Sequence, residues 1–402
     1  MSLSPLVCLC HLRWAFTFQR PNHLMVRFAR ERTVYYVEEP IFGAPEGSDS
    51  ESELRVREVV HNLWVCTPHL PAALATDSGA AELEVAELLS GFLQQRGVLQ
   101  PVLWFYTPMA LPLTAAVTPS VVIYDCMDEL TLFLGAPKEL IERERALLAR
   151  ADLVFTGGYS LYRAKRTQHP AVHPFPSSVD VEHFRFPSSQ LLADPADQQN
   201  IPHPRVGFFG VIDERMDLEL LSYAAQARPN YHFVLIGPVV KIPEVSLPRA
   251  NNLHYLGSKQ YAELPAYLHG WDVAIMPFAL NDATRFISPT KTLEYLAADK
   301  PVVSTAVGDV VIPYGDRGQV MIADRKGFPD ALDVALERSA AENRARARQA
   351  LEGTSWDRTW AEMASLIRGV EELQQRRLDD TVENFPKPAT LENGAEARCT
   401  TT

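Results

Sequence analysis

Two α/β units, each a doubly wound parallel sheet covered by helices on both faces, are what the order of residues predicts. Three observations carry that reading. Short, nearly continuous apolar runs alternate with helical patterns; the alternation stops once, between Asp180 and Pro204, and then restarts. The chain has 402 residues, more than the ~250–300 at which a single core usually stops growing.

In the first half the predicted strands are LVCLC (6–10), TVYYV (33–37), VLWFYTP (102–108), VVIYDC (121–126), ADLVFTG (151–157) and VHPFP (172–176). Helical patterns cover Asn22–Arg30, Lys138–Arg150 and Tyr159–Thr167. A polar insertion, APEGSDSESE (44–53), reads as a surface loop. The stretch 181–204 is rich in Pro, Ser, Asp and Gln and reads as a linker. Strands then resume at RVGFFG (205–210), YHFVLIG (231–237), NLHYLG (252–257), DVAIMPF (272–278) and PVVST (301–305), with helices at Met216–Ala227, Gln260–His269 and after Ser288. Residues Lys326–Leu373 look helical, and Trp356 and Trp360 fall on one face. The boundaries that follow are 1–180, a linker at 181–204, 205–360, a helix at 361–375 that packs back on the first unit, and a disordered tail at 376–402.

Composition narrows the class. The chain is 47% hydrophobic and 22% charged with a formal net charge of −12, so no global field draws it to nucleic acid or to an anionic membrane. Any phosphate site must be local. Five cysteines (Cys8, Cys10, Cys66, Cys126, Cys399) show no Cys-x-x-Cys spacing, and a reducing cytoplasm is the simplest expectation. The N-terminus lacks a basic leader, and no run approaches the ~18 apolar residues of a membrane span. Membrane contact is therefore expected to be peripheral at most.

In open parallel sheets ligands sit at the carboxyl ends of the strands. The suspects in the second half are the loops Gly210–Arg215, Gly237–Pro238, Gly257–Lys259 and Asp282–Lys291. The stretch SPTKTLEYLAADKPVVST (288–305) stands out. A turn at Ser288 and Pro289 leaves the N–H groups of Thr290, Lys291 and Thr292 without helical partners. These donors, two hydroxyls and one ammonium can hold a diphosphate, and Glu294, one turn along, can accept from ribose hydroxyls. The plainer alternative makes Ser288 an N-cap, Lys291 a solvated lysine and Glu294 a first-turn acid favoured by the helix dipole. On the first half, Asp125 and Asp128 follow a buried strand, and Gln19 and Arg20 lie where the first strand turns into the first helix. His11 reads as structural. Asp125-x-x-Asp128 is not a metal-dependent Asp-x-Asp spacing, and no metal is expected.

The same stretch, with LHYLGSKQYAELPAYLHGWDVAIMPF (253–278) before it, resembles the donor-nucleotide half of GT-B glycosyltransferases, in particular the retaining family-4-like enzymes of bacterial polysaccharide synthesis. FTFQRPNHLMVRFARERTVYYVEEP (16–40), VIYDCMDEL (122–130) and HPFPSSVDVEHF (173–184) resemble one bacterial branch with teichuronic-acid-type transferases. The resemblance runs to about residue 370. It implies two Rossmann-like domains facing across a cleft, an acceptor domain at 1–180 and a nucleotide-sugar donor domain at 205–360. By resemblance Glu294 binds ribose, Ser288–Thr292 hold the diphosphate, and Gly257 and Ser258 flank the base. Gly210 and Gly237 belong to the donor side, Arg215 charges the leaving phosphate, and Gln19, Arg20 and Asp125 face the acceptor. Asp128, Arg215 and Lys291 form the expected catalytic set.

Departures from the family pattern are as informative. The first acid of the family's pair, eight residues before Glu294, is Phe286 here; the Gly-Arg pair is Gly210–Val211, and the following lysine is Met216. Arg215 or Arg285 can substitute. The implied activity is transfer from a nucleotide-diphosphate sugar, UDP-linked, to a hydroxyl of a carbohydrate or lipid-linked acceptor, with retention and no cofactor beyond the donor substrate. Nucleic acid is not an expected partner. The place is the cytoplasm, at the inner face of the membrane. A nucleotide-sugar epimerase and a non-catalytic nucleotide-sugar-binding protein remain as alternatives. Neither half shows Gly-x-Gly-x-x-Gly after its first strand, which speaks against a dinucleotide dehydrogenase.

Overall fold

The computed structural model describes residues 3–43, 51–185 and 193–383. The first unit has strands β1 (Leu6–Leu9), β2 (Val34–Val37), β3 (Ile41–Phe42), β4 (Glu53–Val60), β5 (Leu63–Leu70), β6 (Val102–Phe105), β7 (Val121–Cys126), β8 (Leu153–Thr156) and β9 (Val172–Pro174). They form one sheet in the order β3-β5-β2-β1-β6-β7-β8-β9, with β4 paired to β5. Its main helices are α1 (Arg20–Phe28), α2 (Ser78–Gln95), α3 (Leu140–Arg150) and α4 (Tyr159–Lys165). Strands β1, β6, β7 and β8 are buried at every residue, as expected for strands covered on both faces.

After the short helix α5 (Val181–Phe184) comes the second sheet, built from β10 (Arg205–Phe209), β11 (His232–Ile236), β12 (Leu253–Tyr255), β13 (Val273–Met276), β14 (Val302–Ser304) and β15 (Met321–Ile322). Its order is β12-β11-β10-β13-β14-β15, and all five pairings are parallel. Helices α6 (Leu218–Ala227), α7 (Leu264–His269), α8 (Lys291–Ala297), α9 (Gly308–Val310), α10 (Phe328–Glu337) and α11 (Ala340–Leu351) surround it. The last helix, α12 (Trp356–Glu383), leaves this unit.

Local chemistry explains several of these elements. The Tyr295 hydroxyl on α8 accepts from the Phe209 N–H at 3.0 Å, satisfying the end of β10. Lys300 donates to the His269 and Trp271 carbonyls at 2.9 and 2.7 Å, so the lysine of LAADKPVVST pins the end of α7. A Cβ at Gly207 would lie 1.8 Å from the Trp271 ring. Only glycine lets that indole cover β10.

Three expectations change. The first sheet is not wholly parallel, because β4 runs antiparallel to β5 and Asn62 turns between them with φ 64°. The sequence reading lacks this hairpin and α2. Strand β4 carries Arg55, Arg57 and Glu58 on an edge and has no buried residue, so its charges mask its period. The loop expected at 44–53 ends where β4 begins at Glu53; residues 44–50 lie outside the described ones.

The expected linker is packed onto the second unit. Gln198 is fully buried; its side chain accepts from the Trp271 indole at 2.9 Å and donates to Asp194 at 2.8 Å and the Tyr267 carbonyl at 3.0 Å. Phe184 and Ile201 join the core beneath it. Polar residues that satisfy one another inside a fold read as linker from composition alone.

Helix α12 starts at Trp356 rather than at 361 and continues through 376–383, where a disordered tail was expected. Residues 384–402 lie outside the described ones. Trp356, Met363, Ala364 and Ile367 are buried in the first unit's core. Asp357 accepts from Arg27 at 3.0 Å and Arg30 at 2.7 Å, which fixes the helix against α1. Among the described residues no helix is long and apolar enough to cross a membrane. Trp356→Ala should lower the stability of the first unit by about 3–5 kcal/mol, read as a shifted midpoint in urea denaturation followed by circular dichroism.

Candidate active site

Three glycines end neighbouring strands and touch one another. Gly210, Gly237 and Gly257 follow β10, β11 and β12 with φ of +140°, +143° and +68°, a region that suits glycine. Gly237 donates to the Gly257 carbonyl at 2.9 Å, and a Cβ on Gly237 would lie 1.9 Å from the Gly210 carbonyl oxygen. These turns form one side of the cleft, with Ser258 exposed beside Gly257.

Lys291 crosses this floor. A Cβ at Gly210 would sit 2.1 Å from Lys291 Cε and 2.6 Å from Nζ, and the ammonium lies 5.7 Å from the centre of the Phe208 ring. Among the described residues it has no hydrogen bond and no ion pair. Burial lowers its pKa from the usual value, with the nearby Glu294 charge opposing the shift. Glu294 is itself buried, and burial pushes its carboxyl up to about 7 while Lys291 pulls it down. A cation and a carboxylate one turn apart, neither paired, face the cleft.

The turn before α8 corrects part of the expected grip. Thr290, not Ser288, is the N-cap, without a side-chain cap bond. The Thr292 N–H donates to the Pro289 carbonyl at 3.2 Å, and its fully buried hydroxyl rests on Met276 Sδ at 3.4 Å. Thr292 therefore belongs to the core, and the amides of Thr290 and Lys291 are left for a ligand. The Ser288 carbonyl accepts from Ser177 Oγ at 2.7 Å, tying Ser288 and Pro289 to the segment that joins the two units.

From the first unit the loop after β7 reaches across. Asp128 is half-buried, and burial pushes its carboxyl to about 6, with Arg215, Arg20 and Lys291 each pulling it down. Arg215 is clasped by Asp213 through Nε at 3.0 Å and Nη2 at 2.7 Å. Burial disfavours its charge, yet the Asp213 bonds hold its pKa above the usual value. Phe133, on the same loop as Asp128, covers Arg215 and Lys241 with ring distances of 5.5 and 5.0 Å. Arg285 is exposed and stacks on Phe286 at 5.1 Å, so it does not substitute for Arg215. Phe286 packs against the first unit's core.

The acceptor-side residues need correction. Arg20 donates from Nε and Nη2 to Asp125 at 3.0 and 2.8 Å and from Nη1 to the Phe175 carbonyl at 2.7 Å. Both are buried. The pair ties α1 to the end of β7, so neither group is unpaired, contrary to expectation. Gln19 caps α1, its amide N–H donating to Asn22 at 2.9 Å and its side chain to Thr17. His11, expected as structural, sits at the end of β1 with a buried, unpartnered Nδ1. Burial, and then the Lys241 charge, lower its pKa to about 4, so it is neutral at physiological pH. Asp213, Phe133 and Lys241 were not read from the sequence. Asp213, two residues before Arg215 in a suspected loop, was the only one with a positional signal. Among the described residues no group of three or more His, Cys, Asp or Glu side chains is arranged so that it could hold a metal ion.

Residues 203–338, which hold the three glycines, Arg215, Lys291 and Glu294, match the family model of glycosyl transferases group 1. Over that stretch of the second unit the chain is similar to group 1 glycosyl transferases. Over 219 residues the chain is 27% identical to the putative teichuronic acid biosynthesis glycosyltransferase TuaH of Bacillus subtilis (strain 168), a match that covers 50% of this chain and 55% of that relative. The chain thus spans about half the length of this curated relative. Sucrose-phosphate synthase from Thermosynechococcus elongatus superposes with a TM-score of 0.68 at 14% identity, covering 92% of this chain and 99% of that one. Anabaena HepE in complex with UDP and glucose superposes with a TM-score of 0.62 at 14% identity, covering 91% and 100%. The fold of the chain is therefore GT-B.

Glu294 yields a stability prediction. Its carboxyl titrates at about 7 when folded and near ~4.3 when unfolded. Between those values the folded state binds the extra proton, so stability falls as pH rises. Relative to Glu294→Gln, the wild-type protein should lose stability from pH 5 to pH 7.5 and then level off, measured by urea unfolding. Parallel curves would place Glu294 in water.

Proposed function

We propose that this chain transfers a sugar from a nucleotide-diphosphate donor, UDP-linked, to a hydroxyl of a carbohydrate or lipid-linked saccharide acceptor, with retention of configuration. The observation that carries this reading is the unpaired Lys291 ammonium lying on Gly210, one turn from the unpaired Glu294 carboxylate. A ligand with adjacent anionic and vicinal-diol groups satisfies both at once. The group 1 match over the same residues supports the reading, as does the UDP named for a structural neighbour.

Catalysis in this reading is electrostatic. Lys291, the free amides of Thr290 and Lys291, and Arg215 stabilise charge as it develops on the departing diphosphate. Asp213 holds the Arg215 guanidinium in place, and Phe133 shields it from water, which strengthens its field. Asp128 contacts the sugar from the opposite unit. The donor phosphate accepts the proton of the attacking hydroxyl, so no protein nucleophile is assigned. The reading needs no metal, and donor affinity should be indifferent to EDTA. Nucleotide-sugar chemistry and four buried free thiols support a place in the cytoplasm, and a lipid-linked acceptor would bring the chain to the inner face of a membrane.

Calorimetry with UDP, GDP, ADP, dTDP and uridine tests the donor. Lys291→Ala should weaken UDP about 10–100-fold, the equivalent of losing a hydrogen bond to a charged group, and leave uridine nearly unchanged. Equal loss for both would remove Lys291 from the phosphate site. Gly210→Ala, strained at φ +140° and overlapping Lys291, should produce the same selective loss. If the variant binds UDP normally, the floor is not formed by Gly210. Phe286 in place of a family acid favours a second reading, donor binding without transfer; UDP release in the presence of an acceptor panel separates the two.

A further inference from the structure

A cavity of about 280 Å³ opens in the first unit, on the acceptor side of the proposed reaction. Leu9 and Cys10 of β1, Val37 of β2 and Thr107 after β6 form its base at the carboxyl ends of the strands. Ala81 and Val85, one turn apart on α2, and Met109 form a wall. Cys10 is followed by His11, whose ring feels Lys241 of the second unit, so the base of the cavity lies beside the cleft.

Its lining is mostly apolar, with three carboxylates. Glu38, Glu39 and Glu82 line it, and no lysine, arginine or histidine does. Glu38 accepts from the Trp14 N–H at 2.8 Å, Thr67 Oγ1 at 2.7 Å and Arg13 at 3.3 Å. Glu82 is held by Arg143 through two bonds of 2.6 and 3.0 Å. The nearby cations are therefore engaged, and so is Arg20, which is locked to Asp125. A phosphorylated acceptor would bring dianionic charge to carboxylates with no free cation to meet it. An apolar group has the opposite balance. A cavity of about 150 Å³ lined by Leu, Ile and Phe is enough to bind benzene, and this one is larger.

We infer that this cavity is the acceptor's aglycone pocket, and that the acceptor is an uncharged glycoside with an aryl or alkyl group rather than a sugar phosphate. The assignment rests on the transferase reading above. The apolar group sits between α2 and the ends of β1 and β6, and the sugar hydroxyl points past His11 to the donor.

The test titrates the protein, with and without saturating UDP, with matched glycosides of glucose, galactose and N-acetylglucosamine carrying methyl, octyl or 4-nitrophenyl groups, and with glucose 6-phosphate. Calorimetry should show at least one octyl or 4-nitrophenyl glycoside binding at least tenfold tighter than its methyl counterpart, and no binding of glucose 6-phosphate. The aryl and octyl arms distinguish a compact ring from a lipid-like chain. Ala81→Leu and Val85→Phe fill the cavity and should abolish the preference over methyl while UDP affinity and the melting temperature stay close to wild type. Methyl glycosides binding as well as the others, an unchanged preference in a folded filled variant, or binding of glucose 6-phosphate would overturn the assignment. Absent UDP binding in the wild type would overturn the donor reading instead, and the titrations without UDP would still decide the pocket.

Discussion

The ammonium of Lys291 sets the terms for the second unit's cleft face. A cation taken from water without a counter-charge is costly, and the surroundings here are arranged around it. Position 210 has no side chain because the lysine stem lies where a Cβ would be. Position 237 has none because the Gly210 carbonyl lies against it. Glu294, one turn on, remains buried and unpaired, with its proton held to about pH 7. Each strain is tolerable because the rest of α8 is bolted down, by Tyr295 to β10 and by Lys300 to the end of α7.

Closure between the units adds the other half. The Ser160 N–H and hydroxyl both donate to Asp309 at 3.0 Å, joining the start of α4 to α9. Ser177 reaches Ser288. Phe18 stacks on Tyr261 at 4.8 Å, and His23 meets the same ring edge-on at 5.6 Å. None of these contacts is a large apolar interface. They are small, polar or aromatic, and one of them holds the carbonyl of Ser288 in the turn before α8, so the closed arrangement bears directly on the candidate site.

Much of this was legible in sequence where one physical signal dominated. Apolar runs marked the buried parallel strands closely, because strands covered on both faces carry no polar alternation to confuse the reading. The stretch 288–305 was singled out through Lys291 and Glu294, and the structure leaves both unpaired at the cleft. Its hydroxyls were harder: Thr292 turns into the core, since which face of a short helix meets the sheet is set by packing. Arg20 and Asp125 looked like free functional groups because their partners lie 105 residues apart. The edge hairpin and the docked segment around Gln198 were hidden by polarity satisfied inside the fold, as was the early start of α12 by its tie to α1. His11 carried no sequence signal beyond its position at a strand end.

The chain passes between the units twice, once after β9 into α5 and once from α11 into α12. A single tether would leave a domain free to swing, twist and slide. Two tethers side by side, linked through the rings of His183, Tyr261, His23 and Trp356, remove some of those freedoms and act as one hinge about which the units turn. Motion that separates Phe133 from Arg215 must then also swing Asp128 from Lys291, so the shielding of the guanidinium and the arrival of the opposing carboxyl are geared to one angle.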